Sequence, residues 1–102
     1  MLKLSSGADF SRMLRQRGQT AVLFLPRGHG LDEVEAAVER AGDHADVHLA
    51  AAEIDPLSPL ARQYRIGEEP TVILFENGRA QRRLDADKPD GFSEAAVRRF
   101  LR

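Results

Sequence analysis

From Ala21 to Leu25 the chain reads Ala-Val-Leu-Phe-Leu, with no polar residue and with Pro26 directly after. An apolar run this short is expected to be a strand covered on both faces, because a strand with one wet face alternates apolar and polar residues. Pro26 cannot donate to a ladder and is expected to end the strand. A strand buried on both sides needs a layer of helices on each, so the run points to an α/β sandwich. It is also far too short for a membrane span or for the apolar region of a signal peptide, and the residues before it are polar and include arginine. The expected location is cytoplasmic.

The rest of the sequence supplies the layers. Leu2 and Leu4 alternate as a short strand does. Ser6 stands three residues before Asp9, a capping pattern, and Phe10, Met13 and Leu14 follow at helical spacing in a first helix expected to end near Gly18. Asp32 and Glu35 repeat the capping pattern on a helix whose apolar stripe is Leu31, Val34, Ala37, Val38 and Ala41, ending at Gly42. Val47 to Ile54 reads as a second largely buried strand, stopped by Asp55-Pro56. Ser58 and Pro59 open a short helix that carries Leu60, Ala61 and Tyr64 inward before Gly67. Thr71 to Phe75 is a strong strand, Asn77-Gly78 a hairpin turn of the primed type, and Arg79 to Leu84 a polar edge strand. A polar loop from Asp85 to Gly91 leads to a terminal helix capped by Ser93, with Phe92 and Val97 at staple positions and Phe100 and Leu101 apolar. The order is strand, helix, strand, helix, strand, helix, strand, strand, helix. That order implies a single domain over 1–102, with a mixed sheet of parallel crossovers and one antiparallel hairpin.

Charge and cysteine content narrow the function. With 15 lysines and arginines against 16 aspartates and glutamates, the chain lacks the positive excess that attraction to nucleic acid or an anionic membrane requires, so neither is an expected partner. The cysteine count is zero, which removes disulfides, thiolate metal sites and every thiol-based mechanism.

The segment Tyr64-Arg-Ile-Gly-Glu-Glu-Pro-Thr-Val-Ile-Leu-Phe-Glu-Asn-Gly78 resembles the part of the thioredoxin family in which a helix end leads to a cis-proline, an apolar strand and an Asn-Gly turn. The strand ending Ala52-Glu53-Ile54-Asp55, the strand Ala21 to Leu25 and the terminal helix fall in the family's order, so the resemblance covers nearly the whole chain. It implies a thioredoxin-like three-layer sandwich, a central mixed β-sheet flanked by helices on both faces, with Pro70 as the cis-proline beside the family's active site. The alternative is a trans Pro70 that merely begins the strand. Where the family carries Trp-Cys-x-x-Cys, this chain has the shorter Pro26-Arg27-Gly28-His29-Gly30-Leu31, with neither redox cysteine. The family's buried acid on the central strand aligns with Phe24, and the usual proline within the second helix is missing. Dithiol exchange needs one thiolate to attack and another to resolve, and neither Arg27 nor His29 replaces a sulfur nucleophile. The resemblance is thus to a cysteine-less, redox-inactive member, and within that group to the thioredoxin-like hydrogenase-assembly chaperones.

Other features carry less chemistry. Arg27-Gly28-His29-Gly30 precedes a helix N-terminus, where free N–H groups and Arg27 suit an anion; the two glycines equally suit a tight strand-to-helix turn. His29 has no evident serine or cysteine neighbour to form a catalytic set. His29, His44 and His48 match no zinc spacing, so neither a metal nor any other cofactor is expected. Glu33, Glu35, Glu39 and Arg40 read as a solvated helix face, as do Arg98, Arg99 and Arg102. Arg79, Arg82 and Arg83 suit protection of an edge strand against pairing, or attraction of an acidic partner.

The resemblance favours a non-enzymatic protein-binding or chaperone and assembly module. Thioredoxin domains hold extended polypeptide near the proline, where backbone groups pair with a guest chain. Here Arg27, Gly28, His29, Glu68, Glu69 and Pro70 would line that groove, and the two glutamates favour a basic segment in the guest. One alternative is an enzyme binding a small anion or a glutathione-like ligand through the Arg27/His29 loop. Another is a homodimeric structural domain meeting through Leu2, Leu4 or the terminal helix. The expected state is a monomer or a homodimer.

Overall fold

The computed structural model describes residues 2–26, 31–43, 45–86 and 91–101. In chain order its elements are β1 (Leu2–Leu4), α1 (Gly7–Leu14), β2 (Gln19–Pro26), α2 (Leu31–Gly42), β3 (His48–Ile54), α3 (Pro59–Tyr64), β4 (Thr71–Glu76), β5 (Arg79–Asp85) and α4 (Glu94–Leu101). The apolar run is the middle of β2, and every residue from Thr20 to Pro26 is buried. The sheet order β1-β3-β2-β4-β5 sets this strand at the centre. β1 and β2 run parallel to β3, with Leu2 opposite Ala50 and Phe24 opposite Ala52. β4 lies antiparallel to β2, with Phe24 opposite Thr71, and β5 antiparallel to β4.

Alternation along β2 divides the core in two. Val22 and Phe24 pack with Phe10 and Met13 of α1, Ala61 of α3, and Ile73 and Phe75 of β4. Ala21, Leu23 and Leu25 pack with Val34, Val38 and Ala41 of α2, Val97 and Leu101 of α4, and Val72 and Leu74 of β4. The three successive alanines of β3 fall to both faces, and Ala52, directly opposite Phe24, leaves space for the larger ring. Across the α2/α4 layer, Arg40 Nε donates to Glu94 Oε1 at 2.8 Å. That bond, with Arg98 nearby, holds the Glu94 carboxyl below its ordinary pKa.

The caps follow the sequence. Ser6 Oγ accepts from Asp9 N–H at 3.2 Å, and the Asp9 carboxylate reaches back to Ser5. Ser58 Oγ accepts from Ala61 N–H at 3.3 Å, with Pro59 at the first helical position. Ser93 Oγ accepts from Ala96 N–H at 3.3 Å.

Two expected boundaries are corrected. Pro26 is the last residue of β2, opposite Ile54, rather than the first beyond it. Pairing with β4 has already ended at Phe24, so proline falls where the ladder is closing. The first helix ends at Leu14, not near Gly18. Gly18 is instead held by the hairpin turn: its N–H donates to Asn77 Oδ1 and its carbonyl accepts Asn77 N–H, both at 3.0 Å.

That docking makes the turn demanding. Asn77 and Gly78 have φ of 51° and 85°, the pattern of a primed turn. A Cβ on Gly78 would lie 2.5 Å from the Leu14 carbonyl oxygen, and a backbone atom at the end of a helix has little room to yield. Gly78→Ala is therefore expected to lower unfolding free energy by about 1–3 kcal/mol, from backbone strain and this contact. Urea denaturation of the two proteins measures it.

Candidate functional site

The antiparallel register of β2 and β4 brings the end of one strand beside the start of the other, so the chain leaving β2 at Pro26 and the chain entering β4 at Pro70 share one end of the sheet. Arg27, Gly28 and His29 lie outside the described residues, as does His44. Glu68 and Glu69 are exposed and Pro70 is buried. His48 stands exposed as the first residue of β3.

The expected cis-proline is corrected. The Glu69–Pro70 bond is trans, and no cis peptide occurs among the described residues. Trans is the isomer an X–Pro amide prefers by about 0.5–1 kcal/mol. In this isomer the Pro70 carbonyl accepts Ala86 N–H at 3.1 Å, which extends the β4–β5 pairing by one step.

The segment from Glu68 to Pro70 is fastened by a polar network that runs through β5. α3 ends in the left-handed conformation at Arg65, φ 55°, which side chains adopt at some cost. Arg83 of β5 offsets that cost by donating to the Tyr64 carbonyl at 2.7 Å and the Arg65 carbonyl at 3.3 Å. Its guanidinium also meets Asp85 Oδ1 at 2.7 Å, and Asp85 accepts from Thr71 Oγ1 at 3.3 Å. Arg65, Glu68, Glu69, Arg83 and Asp85 thereby line a shallow pocket of about 360 Å³ at this end of the sheet. Sequence reasoning gave Arg83 an edge-guarding or partner-attracting role. Its capping of α3 comes from β5, far along the chain, and no local pattern announces it.

Beneath the network lies an aromatic group. Phe10 is 6.1 Å from Phe24, 5.8 Å from Tyr64 and 5.8 Å from Phe75, ring centre to ring centre. Phe24 and Tyr64 stack at 6.1 Å, with 26° between their planes. Burial raises the Tyr64 hydroxyl above its ordinary pKa. Phe24, which aligns with the thioredoxin family's buried acid, is wholly enclosed. The buried polar side chains among the described residues are Thr20 and Thr71, neither of which titrates. Among the described residues, then, no fully buried side chain titrates.

No protein-family model matches the chain, and no curated protein matches it by sequence. Solved structures do match. A thioredoxin from Plasmodium falciparum superposes with a TM-score of 0.79 at 16% identity, covering 99% of this chain and 96% of that one. A mutant thioredoxin from Halobacterium salinarum NRC-1 gives 0.78 at 18% identity, covering 98% and 86%. A thioredoxin from Schistosoma mansoni gives 0.77 at 23%, covering 98% and 91%. At these identities the likeness is one of fold, and the fold is thioredoxin-like. With no cysteine in the chain, thiol–disulfide exchange is not available to it.

Arg83→Met keeps the aliphatic stem and removes the donors. Loss of bonds to the α3 carbonyls and Asp85 is expected to lower stability by about 1–2 kcal/mol. Arg79→Met, at an exposed site on the same strand, is expected to change it by under about 0.5 kcal/mol. Hydrogen exchange should show the first variant loosening amides 65–69 selectively; equal effects from both would remove the capping role.

Proposed function

We propose that this chain is a redox-inactive, non-enzymatic thioredoxin-like module that holds a polypeptide partner in a groove at the sheet end of Glu68, Glu69 and Pro70, with Arg27, Gly28 and His29 contributing to its lining. It acts as a protein-binding or chaperone and assembly domain, in the cytoplasm, without a cofactor. The observation that carries the reading is the retention of the fold along 98–99% of the chain at TM-scores of 0.77–0.79 while the cysteine count is zero. A fold that has no sulfur chemistry keeps its capacity to hold a guest chain. Support also comes from the Arg83–Asp85–Thr71 network, which ties down both ends of the segment ahead of β4, at Tyr64 and at Thr71. Preorganisation of this kind lowers the ordering cost of binding.

Glu68 and Glu69 give the rim a negative sign, so the guest segment is basic. Assembly of a subunit precursor, the role implied by the resemblance to hydrogenase-assembly chaperones, is the specific form of this reading.

The test is an affinity capture from native lysate read by mass spectrometry. It compares the wild-type chain with Glu68→Lys/Glu69→Lys and with Arg27→Glu/His29→Ala, each shown folded by circular dichroism. A partner kept by the wild type and lost by both variants supports the groove. Its retention by both places binding elsewhere, and capture of no partner overturns the reading. In parallel, a synthetic peptide alternating lysine and valine is expected to shift the amides of 67–69 and 71 in an NMR titration.

A further inference from the structure

β5 closes one side of the sheet, and no strand among the described residues pairs with its outer edge. The bond from Ala86 N–H to the Pro70 carbonyl sets the phase of the hairpin. Alternate residues of an antiparallel strand turn their backbone groups to the same side, so Leu84, opposite Val72, faces β4, while Arg83 and Asp85 face outward. At the other end Glu76 and Arg79 close the two-residue turn inward, which leaves Ala80 outward. A register shift opposite Leu74 and Phe75 absorbs Gln81 between these two stretches. The opposite edge of the sheet, β1, is three residues long and offers far less ladder.

Charged side chains commonly guard such an edge. On β5 two of them are drawn off it. The Arg82 guanidinium lies 5.2 Å from the centre of the Phe100 ring, on the α2/α4 side. Arg83 is bonded to the carbonyls at the end of α3, on the other side. Acidic groups flank the strand at both ends, with Glu76 opposite Arg79 and Asp85 ion-paired to Arg83, but arginines outnumber them along it. Arg79 is exposed, Arg15 and Arg17 lie in the stretch that Gly18 docks on Asn77, and Arg62 and Arg65 are exposed on α3 and its cap. Between α3 and β5 runs a groove of about 300 Å³, with Gln63, Tyr64, Ile73 and Ala80 in its lining.

We propose that β5 receives an extended acidic polypeptide segment as a sixth strand. The outward N–H and C=O groups of Ala80, Arg83 and Asp85 supply the ladder. The surrounding arginines select acidic residues, and the groove takes an apolar side chain from the face that the guest turns toward α3. A second copy fits poorly, because β5 against β5 about a twofold axis sets Arg79, Arg82 and Arg83 near their own counterparts. This surface is the long edge of the sheet, and it meets the sheet end of Glu68 to Pro70 at Arg83 and Asp85, which share a pocket with the two glutamates.

The test is an NMR titration of the isotope-labelled full chain with a synthetic peptide alternating glutamate and valine, beside the peptide that has lysine for glutamate. The glutamate peptide is expected to shift the amides of Ala80, Arg83 and Asp85, with affinity falling as salt rises. The lysine peptide is expected to leave the Ala80 amide in place, whatever it does at 67–69, at Thr71 and at Asp85 opposite Thr71. Ala80→Pro removes an outward N–H at an edge position, where proline is tolerated, and is expected to weaken binding about tenfold. Arg17→Gln with Arg79→Gln keeps the backbone intact and is expected to weaken it likewise, which covers the case of a proline variant that fails to fold. The proposal is overturned by any of these: β5 shifts of equal size from both peptides, no β5 shift at millimolar glutamate peptide, self-association through the same amides without peptide, or a single-stranded oligonucleotide that binds them more tightly.

Discussion

The structure depends on burying a strand from which water is excluded on both faces. From Thr20 to Pro26 every residue of β2 is buried, so strands on either side must satisfy its backbone groups and both helical layers must cover its side chains. That single requirement places β3 and β4 as its neighbours and splits the core into an α1/α3 half and an α2/α4 half. It also decides where chemistry can sit. Among the described residues charged side chains are kept out of both cores, on outer helix faces, loops, strand ends and sheet edges, and Glu68, Glu69 and the arginines of β5 are found among these.

Filling the α1/α3 half with aromatic rings has a functional consequence. Phe24 is the natural choice for a position enclosed by Phe10, Tyr64 and Ala52, but it takes the place where the resemblance expects a carboxyl group. An acid there would need a partner or would stay protonated. The missing cysteines and the aromatic core therefore agree: the chain has no sulfur nucleophile, and among the described residues no fully buried side chain carries a titratable proton.

Much of this was legible from residue patterns that act locally. The apolar run, the Ser6, Ser58 and Ser93 caps and the Asn77-Gly78 turn each determine backbone geometry within a few residues, and each appears where the pattern puts it. What was misread or hidden lies in contacts made only after folding: Gly18, expected near the end of α1, is held instead by Asn77, and the cap that Arg83 gives α3 comes from a distant strand. The isomer at Pro70 was inferred from likeness, yet in this chain the proline carbonyl is engaged by Ala86 in the trans form. The candidate site was legible in part: Glu68 and Glu69 are exposed at the sheet end, and the network that holds them there was hidden by its length along the chain.

The near balance of charge conceals a division that the fold creates. Around β5, the end of α1 and α3 stand Arg12, Arg15, Arg17, Arg62, Arg65, Arg79, Arg82 and Arg83, whereas α2 carries Asp32, Glu33, Glu35 and Glu39 with Arg40. Net charge governs attraction at distances beyond a Debye length, but at contact each surface acts by its own sign. The fold thus sorts a nearly balanced set of charges into an arginine-rich region around β5 and an acidic face on α2, with Glu76 and Asp85 in the first and Arg40 in the second.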